Sequence, residues 1–380
     1  MHETRRVEWL ELFFDLVFVV VVAQLTERIE SEPGPVSMLV VAGLFLAVWA
    51  AWNNTTLYGN IAGELPRRWR PLIFVSMAGV ATMAVAIPSI DGGGQVIFAI
   101  GYALARTAMW PLWTRVHERL GRFSLVGQAV YGPGLAAGWI LSIALPSPWR
   151  IGLWALLLLL EIIPTIIRLP AAPQDKAHMS ERVGLFVMIV LGESVLELIR
   201  SITHHVTAEA WVVGGLGFAV VCALWWRYFE ITGEIRTQLD TSASRRILRD
   251  IMVGAHYAFV LALIFLAAGL GGAILSSSEP HLPDDLRVLL ITGLALYEAA
   301  QVLMALRLGG TRPRWVLLGL LPTAVACLVL ALAAAFWPPW LVIAVVLLEC
   351  ACEIGVSALI APTRTGVRTT APVGRTAVRP

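Results

Sequence analysis

Charge is scarce in this chain. Only 14% of its 380 residues are Asp, Glu, Lys or Arg, against roughly 25% in a soluble domain. A water-facing surface cannot be built from so few charges, so most of the surface must face something apolar. Cysteine is sparse too. Cys222, Cys327, Cys350 and Cys352 all lie inside apolar runs, which excludes a secreted disulfide framework. There is no Gly-rich phosphate loop, no nucleophile elbow and no His-x-x-x-His pair. Nor is any loop long enough to house a soluble active site. An ATP-driven pump is thereby excluded on this chain alone, and the chain reads as a non-enzyme with no cofactor. The net charge of +2 and the lack of a basic stripe interleaved with aromatics exclude nucleic acid as a partner. The first apolar run lacks a small-residue cleavage site, so it reads as a membrane span and not as a cleaved signal.

What the chain has in quantity is apolar sequence: 58% hydrophobic residues and a mean hydropathy of +0.77. A helix needs about 20 apolar residues to cross a bilayer core, because its backbone polar groups must pair internally. Stretches of that kind lie near 7–27, 36–58, 71–89, 95–115, 123–145, 149–169, 183–203, 208–229, 247–275, 286–307, 315–336 and 338–360. The fold expected is an all-α, polytopic transmembrane bundle of about 12 helices in contact with the lipid bilayer. Turn residues such as Pro33-Gly34-Pro35 and Pro146-Ser147-Pro148 separate them. The weakest division is the last, at Trp337-Pro338-Pro339-Trp340, where no charge marks the turn. Residues 362–380 are rich in Thr, Arg and Pro and read as a disordered tail.

Orientation follows from the cations. Arg28, Arg150, Arg200 and Arg287 fall on one side, Arg106 falls inside a helix, and the other 23 of the 28 Lys and Arg fall on the opposite side. That asymmetry predicts a membrane protein with both termini in the cytoplasm. Weak internal similarity divides the chain into 1–170 and 171–361. Glu8 and Glu181 each precede Leu-Phe by the same spacing, Trp52 and Trp225 lie equally far beyond them, and Arg67-Arg68 matches Arg245-Arg246. Gly101-Tyr-Ala-Leu-Ala-Arg106 then matches Gly293-Leu-Ala-Leu-Tyr-Glu298. Two parallel six-helix repeats are the expected arrangement, with a working site between them.

Ionisable residues inside such helices cost about 2.5–3.5 kcal/mol each and need a reason. Glu8, Glu11 and Asp15 fall within about 60° of arc on the first helix, placing acids along a cytoplasmic vestibule. Glu8 also suits the helix start, where the macrodipole favours an acid. Glu193 lies about 18 Å along the axis from Glu181, followed by Ser194, Glu197 and Arg200. Glu193 and Glu197 share a face, and Gly192 leaves room for a neighbour or ligand. Arg106 is the expected counter-ion for Glu193, in a transport site or in a buried knot. Glu161 and Glu298 are single acids of lower rank. Glu349-Cys350-Ala351-Cys352-Glu353 looks like a metal box, but cysteines two apart on a helix point in opposing directions, so no metal site is expected.

Two of these segments carry a further signal. Glu11-Leu12-Phe13-Phe14-Asp15-Leu16-Val17-Phe18-Val19 with Gln24-Leu25, and His178-Met-Ser-Glu181-Arg182-Val-Gly184 through Leu191-Gly192-Glu193-Ser194, resemble the two signatures of the bacterial low-temperature-requirement A family. The resemblance covers all but the tail. It implies a multipass membrane protein of unsettled molecular activity, and it adds weight to Glu11, Phe14, Asp15, Gln24, Glu181, Arg182, Gly192, Glu193 and Ser194. Phe14-Asp15-Leu16-Val17-Phe18 is also similar to the Phe-Ser-Asp motif of lysosomal-type potassium channels, although Phe14 replaces the Ser and the second half lacks the Asp. The functional expectation is a secondary transporter coupled to protons or cations and acting on a small solute or cation. A cation channel and a non-transporting protein of cold adaptation are the alternatives.

Overall fold

The computed structural model describes residues 8–63, 65–121, 124–168, 175–241, 254–308 and 313–360. Among these, the secondary structure is helical throughout. The helices are α1 (Trp9–Ser31), α2 (Pro35–Ala62), α3 (Arg70–Ala86), α4 (Gly94–Arg119), α5 (Leu125–Ala129), α6 (Leu135–Ser142) and α7 (Ser147–Arg168). They continue as α8 (Lys176–His204), α9 (Ala208–Thr241), α10 (His256–Leu275), α11 (Asp284–Leu308), α12 (Pro313–Leu332) and α13 (Pro339–Ile360). Eight of the helical segments are long and apolar enough to cross a membrane. The tail 362–380 and the Arg245-Arg246 match lie outside the described residues.

Local chemistry sets the helix ends. A capping box opens α1, with the Glu11 carboxylate accepting from the Glu8 backbone N–H at 3.1 Å. Pro35 stands in the first turn of α2, and Gly63 at φ 78° ends it. Asp175 caps α8 by accepting from the His178 backbone N–H at 3.1 Å. The stretch expected as one helix over 123–145 is interrupted: a π turn at Val130–Gly134 separates α5 from α6. Pro133 sits in that turn and lacks the N–H that would continue the ladder. At the weak last division, α12 stops at Leu332, a 3-10 turn covers Ala334–Phe336, and α13 starts at Pro339. The Trp337 carbonyl is held there by the Leu282 N–H at 3.1 Å.

The helix α10 is apolar on every side, and every residue from Phe259 to Ile274 is buried. A helix of that kind belongs at the centre of a bundle. It packs against α1, α2, α8, α9, α11 and α13. Tyr257 ties it to α2 by stacking on Phe45 and by donating its hydroxyl to the Ala42 carbonyl at 2.8 Å. The contact between α2 and α8 is aromatic, with Trp52 4.9 Å from Trp49 and 4.8 Å from Phe186 between ring centroids.

Helices α1 and α8 run side by side in the same direction and in fixed register. His178 meets Glu11, and Arg182 meets Asp15, each pair 167 residues apart. At the far end Glu30 meets Glu197 at the same separation. This parallel contact brings ionisable groups together at both ends of α1.

Candidate functional site

Among the described residues, four groups of charged side chains are buried between helices, and the α1–α8 contact holds two of them. Near the start of α1, the Arg182 Nη2 donates to Asp15 Oδ1 at 2.6 Å, and Trp52 Nε1 donates to the same oxygen at 2.8 Å. Both Asp15 and Arg182 are wholly buried. Arg182 Nη1 lies 3.8 Å from Glu11 Oε1, and the guanidinium sits 5.8 Å from the Trp52 ring centroid. His178 Nε2 lies 3.0 Å from Glu11 Oε2, while its Nδ1 lies 3.4 Å from Asn60 Nδ2. An amide nitrogen is a donor, so Nδ1 accepts and Nε2–H points at Glu11. Asn60 also exchanges two hydrogen bonds with the Asp175 backbone, at 2.7 and 3.1 Å. It thereby clamps the end of α2 to the start of α8. A small, partly open cleft reaches this cluster, lined by Glu8, Glu11, Thr55, Tyr58, Gly59 and Arg182 among others. Of the three acids on the first helix, Glu8 and Glu11 line this cleft beside Arg182, whereas Asp15 is wholly buried and does not line it.

The second cluster lies at the far end of the same contact. Arg200 Nη1 donates to Glu197 Oε2 at 3.0 Å, and its Nη2 lies 3.8 Å from Glu193 Oε1. Ser201 Oγ donates within the same turn to the Glu197 carbonyl and carboxylate. The Glu30 carboxyl reaches across from α1 toward Glu197, and both side chains stand against Gly271 of α10. Its path exists because position 271 is glycine: a Cβ there would fall 2.6 Å from Glu30 Oε1 and 3.0 Å from Ser201 Oγ. Gly59 does the same at the first cluster, where a Cβ would collide with Glu11 Oε1. A hydrogen bond between two carboxyls needs one proton between them, because a carboxylate has nothing to donate.

The other two clusters do not touch α1. Arg106, expected as counter-ion to Glu193, instead pairs with Glu161 on α7 at 2.6 Å and donates to the Tyr131 carbonyl at 2.5 Å. Tyr102 donates to the other Glu161 oxygen at 2.8 Å. The π turn explains the difference, since its irregular backbone offers Arg106 a carbonyl beside Glu161. In the second half, Arg227 Nη2 pairs with Glu298 Oε2 at 2.6 Å, and Nη1 lies 3.3 Å from Glu349 Oε1. Glu353 Oε2 lies 3.9 Å away, and Thr323 Oγ1 donates to Glu349 at 2.6 Å. Arg227 packs 4.9 Å from the Tyr297 ring centroid.

The remaining predicted residues fall into place around these groups. Phe14 is buried with its ring 5.0 Å from Phe18, and Ser194 is buried and donates to the Val190 carbonyl at 3.1 Å. Gln24 Nε2 lies 3.4 Å from Glu27 at the surface. Glu181 is half-buried, so of the Glu181-Arg182 pair it is the arginine that enters the cluster. Gly192 faces outward, and a Cβ there would meet nothing within 4 Å; it is not the packing notch its place beside Glu193 suggests. Cys350 is buried and Cys352 exposed, so the two do point apart. Trp52 is buried but its sequence match Trp225 is 40% exposed, which breaks that equivalence. Sequence reasoning missed Glu30, Trp52 and Asn60 as site residues, and counted Arg182 and Arg227 among loop cations.

Comparison with known proteins places this geometry. The model of the family described as bacterial low temperature requirement A protein matches residues 6–351, nearly the whole chain. An uncharacterized protein of Rhizobium meliloti (strain 1021) is 27% identical over 278 residues, covering 68% of this chain and 67% of that protein.

Proposed function

The chain belongs to the bacterial low temperature requirement A family, and we propose that it works as a proton-coupled secondary transporter of the cytoplasmic membrane, with both termini inside. One observation carries the reading: the α1–α8 contact buries ionisable groups at both of its ends, joined by a parallel register. Ionisable side chains at membrane depth are costly and mark ion or substrate paths. A paired arrangement at opposite ends is what alternating access needs, one gate on each side of the bundle. With the N-terminus inside, Glu11, Asp15, His178 and Arg182 form the inner gate. Glu30, Glu193, Glu197 and Arg200 form the outer one. The carboxyl pair Glu30–Glu197 holds a proton in the closed outer gate, and Arg200, which already donates to Glu197, balances the added charge when that proton leaves. Coupling by protons follows from this exchange.

The test uses the full chain in proteoliposomes that contain a pH-sensitive dye, under an imposed pH gradient. Sodium, potassium, amino acids and sugars are added in turn. One class of addition is expected to accelerate proton movement above that of protein-free vesicles, and Glu193→Gln and Glu30→Gln to abolish the acceleration. Proton movement that no addition changes, or that Glu193→Gln leaves at the wild-type rate across a pH series, would overturn the proposal.

A further inference from the structure

The two arginine clusters away from α1 differ in charge balance. Arg106 faces one carboxylate, Glu161, so that pair is neutral. Arg227 faces three, from Glu298, Glu349 and Glu353, whose oxygens lie within 4.8 Å of one another. With all groups ionised this cluster carries two uncompensated negative charges. It does so away from water, near the middle of α11, α12 and α13, where Glu298, Thr323 and the two α13 glutamates sit. Three buried carboxylates in contact around one cation disfavour full ionisation, so that one of them readily takes up a proton.

Among the described residues, the groups facing the cluster supply no second positive charge. They are Tyr297 on α11, Thr323 and Cys327 on α12, and Cys350 on α13. The two cysteines and the tyrosine are neutral or negative, and the threonine hydroxyl makes a single donation. Glu349 Oε2 is buried, on a side chain 1% exposed, and accepts from no N–H or O–H among the described residues. Of the three acids, Glu353 is the least engaged, with Arg227 at 3.9 Å and Thr323 at 3.5 Å.

We propose that this cluster is a proton-binding site with the Glu353 carboxyl as acceptor, distinct from the α1–α8 gates. A metal ion bound by the same three oxygens would sit against the guanidinium, and their repulsion at short range is strong. A proton neutralises Glu353 without displacing Arg227, and it does so beside two further carboxylates whose oxygens lie within 4.8 Å. Loss of the proton returns Glu353 to Arg227, which then spans three carboxylates across α9, α11 and α13. The site stands whether or not the chain transports anything.

Infrared spectroscopy of the full chain in lipid nanodiscs, with isotope-labelled glutamate, reads protonated carboxyls directly. The Glu30→Gln chain removes the outer carboxyl pair from the signal. At neutral pH it is expected to retain a labelled carboxylic-acid band, which adding Glu353→Gln removes and adding Glu161→Gln leaves intact. No such band in the Glu30→Gln chain overturns the proposal without recourse to a second substitution, should Glu353→Gln fail to fold. Retention of the band in Glu30→Gln/Glu353→Gln also overturns it. So does a thermal stabilisation by sodium or calcium that Glu353→Gln abolishes, which would make the site a metal site.

Discussion

Asp15 Oδ1 receives two hydrogen bonds at once, from Arg182 on α8 and from Trp52 on α2, at 2.6 and 2.8 Å. Three helices are thus fastened at one atom, between side chains that are wholly buried. Asp15→Asn removes the charge and leaves Arg182 buried with Glu11 at 3.8 Å as its nearest carboxylate. Breaking one side of such a pair costs about 3–5 kcal/mol. The expected outcome is a large fall in thermal stability of the purified chain. Asp15→Asn combined with Arg182→Gln should lose less than the sum of the single changes, by about 1–3 kcal/mol of coupling. Additive losses would show that the two side chains do not depend on each other.

The Arg106–Glu161 pair has the same short distance but a different expected role. It is neutral, it stitches α4 to α7 beside the π turn, and it lies away from the α1–α8 contact. Arg106→Met alone should destabilise by about 3–5 kcal/mol, since the buried Glu161, which also accepts from Tyr102, loses its 2.6 Å arginine partner. Replacing both with apolar residues should recover most of that loss, because buried pairs often exchange for packing at little net cost. Proton movement in proteoliposomes should be unaffected by the double change. A double variant that is stable yet inactive would move this pair into the transport machinery.

Gly271 tests the outer gate without touching a charge. Alanine gains roughly 1 kcal/mol over glycine in a helix interior, so Gly271→Ala should fold at least as well as the wild type. Its methyl group would occupy the space of the Glu30 carboxyl and the Ser201 hydroxyl, and Glu30 must swing away from Glu197. Proton movement in proteoliposomes should then fall toward that of Glu30→Gln, with thermal stability kept. A Gly271→Ala chain with wild-type proton movement would show that the Glu30–Glu197 contact is dispensable.

How much of this could be seen in the sequence differs from residue to residue. Asp15 was legible because it interrupts a run of Phe, Leu and Val, where an acid has no surface to reach. Glu30 was not, for it sits near Glu27 and Glu32 at a helix end, where acids are ordinarily solvated. Only the approach of α10 through Gly271 encloses it. Arg227 looked like a loop cation because apolar sequence ends soon after it, whereas α9 continues to Thr241 and turns it inward to Glu298. Arg182 looks like a loop cation because it precedes the apolar run at 183–203, whereas α8 already starts at Lys176 and turns it inward to Asp15. Removing both from the cation count leaves the bias toward one side in place. Arg106 and Glu193 were joined as the conspicuous charges of the two halves, but charge alone does not say which helices touch. That was decided by the π turn at Val130–Gly134, whose geometry no periodicity reveals.

The loop between α3 and α4 allows the orientation to be measured. Asp91 in that loop holds Arg28, at the end of α1, at 2.6 Å, and Glu32 holds the same guanidinium at 2.7 Å. Both acids are well exposed, so a cysteine at either place would be open to a soluble reagent. In a chain whose four native cysteines are replaced, Asp91→Cys should react with an impermeant maleimide added to intact cells. Arg68→Cys, before α3, should react only after the membrane is opened. That pattern fixes the Glu30–Glu197 pair on the outer side and the Glu11–His178 contact on the inner side. The reverse pattern would exchange the two gates without altering their geometry: the proton shared by Glu30 and Glu197 would then face the cytoplasm. Labelling of both positions from outside would require a break in the α3 crossing and would remove the basis for two gates.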